Sequence, residues 1–152
     1  MKRKINILTL FVAVLFLSGK NAISQINSNP VNQTVTISSG SFTIDVDNDS
    51  NDDYTFEILP LSGSSNAARV ISLGNSQVMD GSTFGYPDTL NFGDNVIGPY
   101  SSGNAVLGTD VGGGGQFTGA GMKYLGLSID ISGANHLGWI SLEVAVSNDT
   151  II

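Results

Sequence analysis

The sequence predicts an all-β fold, an antiparallel and jelly-roll-like β-sandwich, from two observations. After residue 24, apolar side chains alternate with polar ones at every second position, which is the period of a half-buried strand. Clusters of Gly, Ser and Asn separate these alternating segments, and the chain holds 19 glycines in 152 residues. Short strands divided by turn residues are typical of antiparallel sheets that each turn one face to the core. We therefore expect a single β-sandwich domain over residues 25–152.

Five segments carry the alternation, and each is predicted to be a strand. The stretch from residue 74 to 121 has no clear period, and the glycines at 112–115 are expected to form an exposed loop tip. The chain ends on an apolar pair, Ile151 and Ile152, without a closing turn. We expect from this that the natural protein continues further; a short final strand is the alternative. The predicted strands, with their core-facing residues, are 34–38 (Val35, Ile37), 42–46 (Phe42, Ile44, Val46), 54–58 (Tyr54, Phe56, Ile58), 125–131 (Leu125, Leu127, Ile129, Ile131) and 140–146 (Ile140, Leu142, Val144, Val146).

The first 24 residues have the pattern of a cleavable secretory signal peptide. Lys2, Arg3 and Lys4 precede an apolar run over residues 5–17, which is shorter than the roughly 20 residues needed to cross a bilayer. Ala22 and Ser24 then place small side chains at the −3 and −1 positions of a cleavage site. We predict a helical signal peptide over residues 1–24 and a secreted or cell-surface protein without a membrane span in its mature chain.

The predicted mature chain is strongly acidic. All 13 acidic residues follow Ser24, whereas Arg69 and Lys123 are the only basic residues there, so the net charge is about −11. Such a surface repels phosphate backbones, which excludes nucleic acid as a partner, and it attracts divalent cations. The chain has no cysteine, so its stability must come from the core, a bound ion or a partner.

Acidic side chains alternate between the second and third predicted strands, in the run Asp-Val-Asp-Asn-Asp-Ser-Asn-Asp-Asp over residues 45–53. In a tightly curled loop, alternate residues point inward and gather oxygen atoms around one hard cation. Ca²⁺ takes six to eight oxygen ligands, and sites outside the cell bind with dissociation constants of about 10⁻⁴ to 10⁻³ M. The alternative is a solvated acidic turn, because Asp and Asn favour turns. The predicted calcium ligands are the carboxylates of Asp45, Asp47, Asp49 and Asp53 and the backbone carbonyl oxygen of Asn51.

This spacing resembles the Asp-x-Asp-x-Asp-Gly-x-x-Asp calcium loops of FG-GAP-type hairpins, which also link two strands. The sequence departs from that pattern at position 6, where Ser50 stands in place of Gly. Phe56 occupies position 12, where an EF-hand has Glu, so a helix-flanked calcium site is not expected. The resemblance implies a structural ion that ties the hairpin.

Three motifs in the second half of the chain occur in a recognisable order, over residues 91–98, 116–127 and 136–142. With the Ile-Asp-Val-Asp-Asn-Asp segment at 44–49, they resemble a group of uncharacterised secreted bacterial β-sandwich proteins. These proteins have a Lys-Tyr-Leu-Gly … His-x-Gly-Trp pattern and often a C-terminal sorting or anchoring segment. The resemblance implies an extracellular β-sandwich with no established catalytic residues. Leu137 departs from the pattern, which has Tyr at that position.

Few residues are candidates for catalysis or ligand binding outside the acidic loop. His136 is the only histidine, and we interpret it as a hairpin residue, with no catalytic residue expected. The glycines at 112–115 lack the Lys-Ser/Thr ending of a phosphate loop. Four aromatic residues could form a surface for sugar, although packing in the core or at a sheet edge is the alternative: Trp139, Tyr124, Tyr100 and Tyr86.

The sequence thus predicts a non-enzymatic β-sandwich module, stabilised by calcium and serving a structural or adhesive role, with a surface glycan or protein as its partner. A carbohydrate-binding module is the first alternative, and a small secreted hydrolase is the second.

Overall fold

The computed structural model describes residues 32–82 and 85–152, so the predicted signal peptide lies outside the described residues. Within them the protein is all-β and contains no helix, hence none that could span a membrane. The prediction of an all-β fold is therefore confirmed. The ten strands are β1 (Val35–Thr36), β2 (Ser41–Ile44), β3 (Tyr54–Pro60), β4 (Asn66–Ser72), β5 (Gln77–Met79), β6 (Tyr100–Ser101), β7 (Asn104–Thr109), β8 (Lys123–Ile131), β9 (Ala134–Leu142) and β10 (Thr150–Ile151).

The strands form three sheets in which all neighbouring strands are antiparallel. The first four-stranded sheet has the order β2-β3-β4-β7, and the second has the order β6-β5-β8-β9. A two-stranded sheet joins β1 to β10. In the second sheet, β8 and β9 pair over nine residues and place β9 at an edge.

Both four-stranded sheets contribute side chains to one hydrophobic core. Strand β3 buries every second residue, as the period of a strand with one inward face requires, whereas β8 is buried continuously from Leu125 to Ile129. Burial of such apolar area is the main favourable term in folding. The core residues from these two strands are Tyr54, Phe56, Ile58, Leu125, Leu127 and Ile129.

The predicted strands at 54–58 and 125–131 are confirmed, although Ile131, which was predicted to face the core, is exposed. The predicted strand at 34–38 is wrong beyond Thr36. The amide of Ser39 donates to the carbonyl oxygen of Thr36 at 3.2 Å, and the amide of Thr36 donates to Ser39 Oγ at 2.7 Å. These local bonds close a turn, as Ser and Thr often do in competition with strand pairing. Ile37 consequently lies on the turn and is exposed.

The predicted strand at 42–46 ends early, since β2 stops at Ile44 and Val46 is exposed in the acidic loop.

The predicted strand at 140–146 is displaced toward the N-terminus. Ser132 and Gly133, with φ of 57° and 83°, form a two-residue hairpin turn that starts β9 at Ala134. The strand therefore ends at Leu142, and Val146 is exposed.

The stretch without a clear period holds three strands, β5, β6 and β7. The strand β4 was also not predicted, because Ala67 and Ala68 are both buried beside a bulge at Ala68 and Arg69, which breaks the alternation. The glycines at 112 and 113 are exposed in a turn, as expected for a loop tip.

The hydroxyl of Tyr54 ties the two four-stranded sheets together. Tyr54 lies on β3 of the first sheet and is fully buried. Its Oη donates to the carbonyl oxygens of Gln77, at 3.0 Å, and Ser128, at 2.8 Å, both in the second sheet. Burial raises the pKa of this hydroxyl, so it stays protonated and able to donate.

Replacement of Tyr54 by Phe is expected to lower the free energy of unfolding by about 1–2 kcal/mol, because two buried carbonyl oxygens lose a donor. Urea denaturation measures this loss. As a control, Tyr100→Phe removes a hydroxyl that donates to the carbonyl oxygen of Val96 at 3.1 Å in a less buried position, and it should cost less. Equal losses in the two variants would contradict the assigned role of Tyr54.

Candidate metal centre

The acidic loop, residues 45–53, closes the hairpin between β2 and β3. Ile44 and Tyr54 are partners in the ladder, and the amide of Asp53 donates to the carbonyl oxygen of Ile44 at 2.8 Å. The nine residues between them therefore begin and end at one point of the sheet, which forces the loop to curl on itself.

Three of the predicted ligands come together in this loop. Asp45, Asp47 and Asp49 each offer a carboxylate oxygen, and these three oxygens lie within 4.8 Å of one another. Asp45 and Asp47 are half-buried, while Asp49 is exposed. The cluster could hold a metal ion, and its all-oxygen donor set suits a hard cation such as Ca²⁺.

The backbone of the loop wraps around these carboxylates. The amide of Asp49 donates to Asp45 Oδ1 at 3.2 Å and to Asp47 Oδ1 at 3.1 Å, and the amide of Ser50 donates to Asp45 Oδ2 at 2.9 Å. Asn48 and Ser50 have φ of 61° and 74°, in the left-handed region. Ser50 thus adopts the conformation for which the resembled calcium loops have Gly, so its presence does not prevent the turn.

Of the other two predicted ligands, Asp53 is not part of the three-carboxylate cluster, and Asn51 is hydrogen-bonded to Asp49, which is part of it. Asp53 accepts hydrogen bonds on both oxygens, from the amide of Val46 at 2.7 Å and from Ser76 Oγ at 2.9 Å. Asn51 donates its side-chain amide to Asp49 Oδ2 at 3.1 Å. Asp53 therefore fastens the loop to the chain after β4, and ligation by Asp53 and Asn51 stays a prediction.

The surroundings of Asp47 raise the pKa of its carboxyl group. Burial raises the pKa of its carboxyl most, the amide of Asp49 lowers it, and the carboxylates of Asp49, Asp53 and Asp45 raise it further. The net effect is a raised pKa, which means that the loop disfavours the charged form of Asp47. A bound cation would reverse this repulsion.

Two of the four aromatic residues considered as a surface for sugar also come together, on the second sheet. The rings of Tyr124 and Trp139 meet edge to face, with centroids 4.9 Å apart, and Trp139 is 48% exposed. Phe92, which was not predicted, lies 6.4 Å from the ring of Tyr124. Its position between Asn91 and Gly93, in a turn-forming Asn-Phe-Gly-Asp sequence, is the signal that could have identified it.

The remaining candidates have other surroundings. Tyr100 donates its hydroxyl to the carbonyl oxygen of Val96, and Tyr86 lies against the loop at Gly114. His136 is exposed, and it lies within β9, opposite Ile129, rather than in the turn that precedes the strand.

Comparison of the chain with protein-family models, with curated proteins and with solved structures finds no match.

Proposed function

We propose that this protein is a secreted or cell-surface module without enzymatic activity, in which one Ca²⁺ ion in the acidic loop stabilises a β-sandwich that has a structural or adhesive role. The observation that carries the calcium proposal is the convergence of the Asp45, Asp47 and Asp49 carboxylates. Their oxygens are near enough to share one ion, whose positive charge would offset the repulsion between these carboxylates.

The two four-stranded sheets share one hydrophobic core, to which β3 and β8 both contribute side chains. A shared core between two sheets favours a sandwich. The strands β2, β3 and β4 are neighbours in both sequence and space. This meander supports a sandwich more than it supports the jelly-roll connections expected from the sequence.

A role without catalysis is supported by the surroundings of the single histidine. His136 is exposed on an edge strand, and its neighbour across the ladder is Ile129. A general base needs a partner that orients it and a site from which water can be excluded. His136 is exposed to water, and its ladder partner Ile129 has no polar group to orient the imidazole.

The calcium proposal predicts that the ion raises the melting temperature of the protein. With dissociation constants of about 10⁻⁴ to 10⁻³ M, 10 mM Ca²⁺ adds about 1.5–2.5 kcal/mol to the free energy of unfolding. For a domain of this size this is a rise of roughly 5–15 °C over the protein in chelator. Differential scanning calorimetry in 10 mM calcium and in chelator measures it.

Two variants of the loop identify the ligands. The double variant Asp47→Ala/Asp49→Ala should lose the calcium-dependent rise in melting temperature, since two of the three converging carboxylates are gone. Asp52→Ala removes an exposed carboxylate of the same loop that is not part of the cluster, and it should keep the rise. An unchanged melting temperature with calcium, or an equal rise in the double variant, would refute the calcium site.

A further inference from the structure

Three aromatic rings lie next to one another at β8, β9 and the turn at residues 91–94, and Phe92, Tyr124 and Trp139 are here called the aromatic face. Phe92 is 88% exposed and Trp139 48% exposed, and Tyr124 lies between them in contact distance of each ring. Contiguous exposed patches of large apolar side chains generally mark interaction sites.

The exposure of Phe92 is built into the backbone. Phe92 occupies the corner of a turn in which the amide of Asp94 donates to the carbonyl oxygen of Asn91 at 3.1 Å. Gly93 supplies the positive φ, 91°, that the third position of this turn type requires. Asp94 Oδ2 accepts the backbone amide of Asn91 at 2.7 Å and its side-chain amide at 3.2 Å. The turn is therefore well formed, and it points its aromatic residue outward.

This turn is fastened to the strand that carries the middle ring. Leu90 and Tyr124 exchange two backbone hydrogen bonds, of 2.9 and 3.0 Å. Next to them, Lys123 Nζ donates to Asn91 Oδ1 at 2.8 Å. These bonds hold the backbone of the turn next to Tyr124, so a ligand need not order the turn.

Polar groups border the rings. Ser141 is the ladder partner of Tyr124 and is exposed on the edge strand beside Trp139. The amide of Asn91 and the ammonium group of Lys123 lie on the opposite side, next to the turn. The surface therefore combines apolar ring faces with nearby hydroxyl, amide and ammonium groups.

We propose that the aromatic face binds an uncharged polysaccharide. A pyranose ring offers C–H groups on its faces, which pack on aromatic rings, and hydroxyl groups on its rim, which hydrogen-bond to polar groups such as the hydroxyl of Ser141. The charge of the protein favours a neutral chain: two basic residues against 13 acidic ones after residue 24 repel an anionic polymer. The one cation beside the rings, Lys123, is already bound to Asn91.

This inference rests on the proposed function in that it names the partner of the adhesive module, but it does not depend on the calcium site. The aromatic face is formed by β8, β9 and the turn at residues 91–94, whereas the acidic loop joins β2 to β3 of the other sheet. Binding of glycan and binding of calcium can therefore fail separately.

Trp139 is the only tryptophan of the chain, so its fluorescence reports on the aromatic face alone. We would titrate the calcium-saturated protein with the hexasaccharides of β-1,4-glucan, β-1,3-glucan, β-1,4-xylan and chitin, and with heparin as an anionic chain. The expected result is a saturable change in tryptophan emission with at least one of the neutral hexasaccharides and none with heparin. Calorimetry with the same sugar then gives the affinity of each variant.

Phe92→Ala is expected to weaken binding by at least about tenfold, as truncation of an aromatic anchor does. Its melting temperature should not change, because the side chain is 88% exposed. Tyr124→Phe keeps the ring and should remain within about threefold of the parent, since one hydroxyl is lost. Val111→Ala, which shortens an exposed aliphatic residue in the loop after β7, is the matched control and should bind normally.

The proposal is overturned if no neutral hexasaccharide changes the emission, if heparin binds as well as they do, or if Phe92→Ala binds with unchanged affinity. An emission that shifts with protein concentration alone would assign the aromatic face to association between copies of this chain, and it would also overturn the proposal. Glycan binding that persists without a calcium-dependent rise in melting temperature would refute the metal site alone.

Discussion

Replacement of Phe117 by Ala is expected to lower the free energy of unfolding by about 3–5 kcal/mol, a large share of the 5–15 kcal/mol of a typical domain. Phe117 is fully buried among core residues of both four-stranded sheets. It lies outside any strand, and its amide donates to the carbonyl oxygen of Leu107 at 3.0 Å. Loss of the ring removes apolar burial and leaves a cavity that the sheets cannot fully close. The melting temperature should fall by roughly 10–20 °C.

Phe92→Ala provides a matched control for this prediction, because it makes the same chemical change at a side chain that is 88% exposed. Its effect on the free energy of unfolding should stay within about 0.5 kcal/mol, as for most surface substitutions. Urea denaturation of the two variants and the parent measures both effects. A loss below about 1 kcal/mol for Phe117→Ala would mean that Phe117 is not part of the core.

The sequence was sufficient to predict those strands that have one face in the core and one in solvent. In β3, the buried residues Tyr54, Phe56 and Ile58 alternate with Thr55 and Glu57, so the inward face can be identified from the period alone. The sequence of β8 alternates in the same way, although Gly126 and Ser128 on its second face are buried as well. The alternation predicts strand ends wrongly where local hydrogen bonds compete with strand pairing, as at Thr36 and Ser39. There the local bonds form a turn, so the strand ends although the alternating apolar residues continue.

The burial of Phe117 could not be predicted, because the sequence around it has no alternation of apolar and polar residues. Its neighbours are glycines and short polar residues, and it reaches the core through contacts with β7 and with the segment around Val144, to which Thr118 forms a bridge. Such contacts join residues that are far apart in sequence. They depend on the completed sheets and leave no local pattern to detect.

The candidate sites likewise have features that the local sequence predicts and features that depend on contacts between distant residues. The convergence of Asp45, Asp47 and Asp49 follows from their alternation in a short hairpin loop, which the sequence displays. The role of Asp53 does not, because its partner Ser76 lies 23 residues away in the chain. Likewise, Tyr124 and Trp139 could be named as candidates from the sequence, whereas their pairing depends on the register of β8 with β9.

Replacement of Gly108 by Ala is expected to cost about 2–4 kcal/mol, because the added methyl group would overlap Thr118 Oγ1 and Asn148 Oδ1. Those two atoms form a hydrogen bond of 2.6 Å, and Asn148 Nδ2 donates to Asp110 Oδ1 at 2.7 Å. Asn148 is 1% exposed, so it has no water to replace a lost partner. Displacement of Asn148 would also disturb Asp110, which accepts the amide of Asn66 at the start of β4.

Gly138→Ala is the matched control, since Gly138 is also within a strand, has no positive φ and would place its methyl group in open space. It should be neutral or stabilise the protein by up to about 1 kcal/mol, through the reduced entropy of the unfolded chain. If Gly108→Ala acts through Asn148, its cost should shrink in an Asn148→Ala background, because the network is already broken there. Equal effects of the two glycine substitutions, or fully additive losses in the double variant, would contradict the clash with Asn148 as the cause. The comparison separates two glycines that the sequence alone cannot tell apart: one is required by the side chains packed over it, and the other is replaceable.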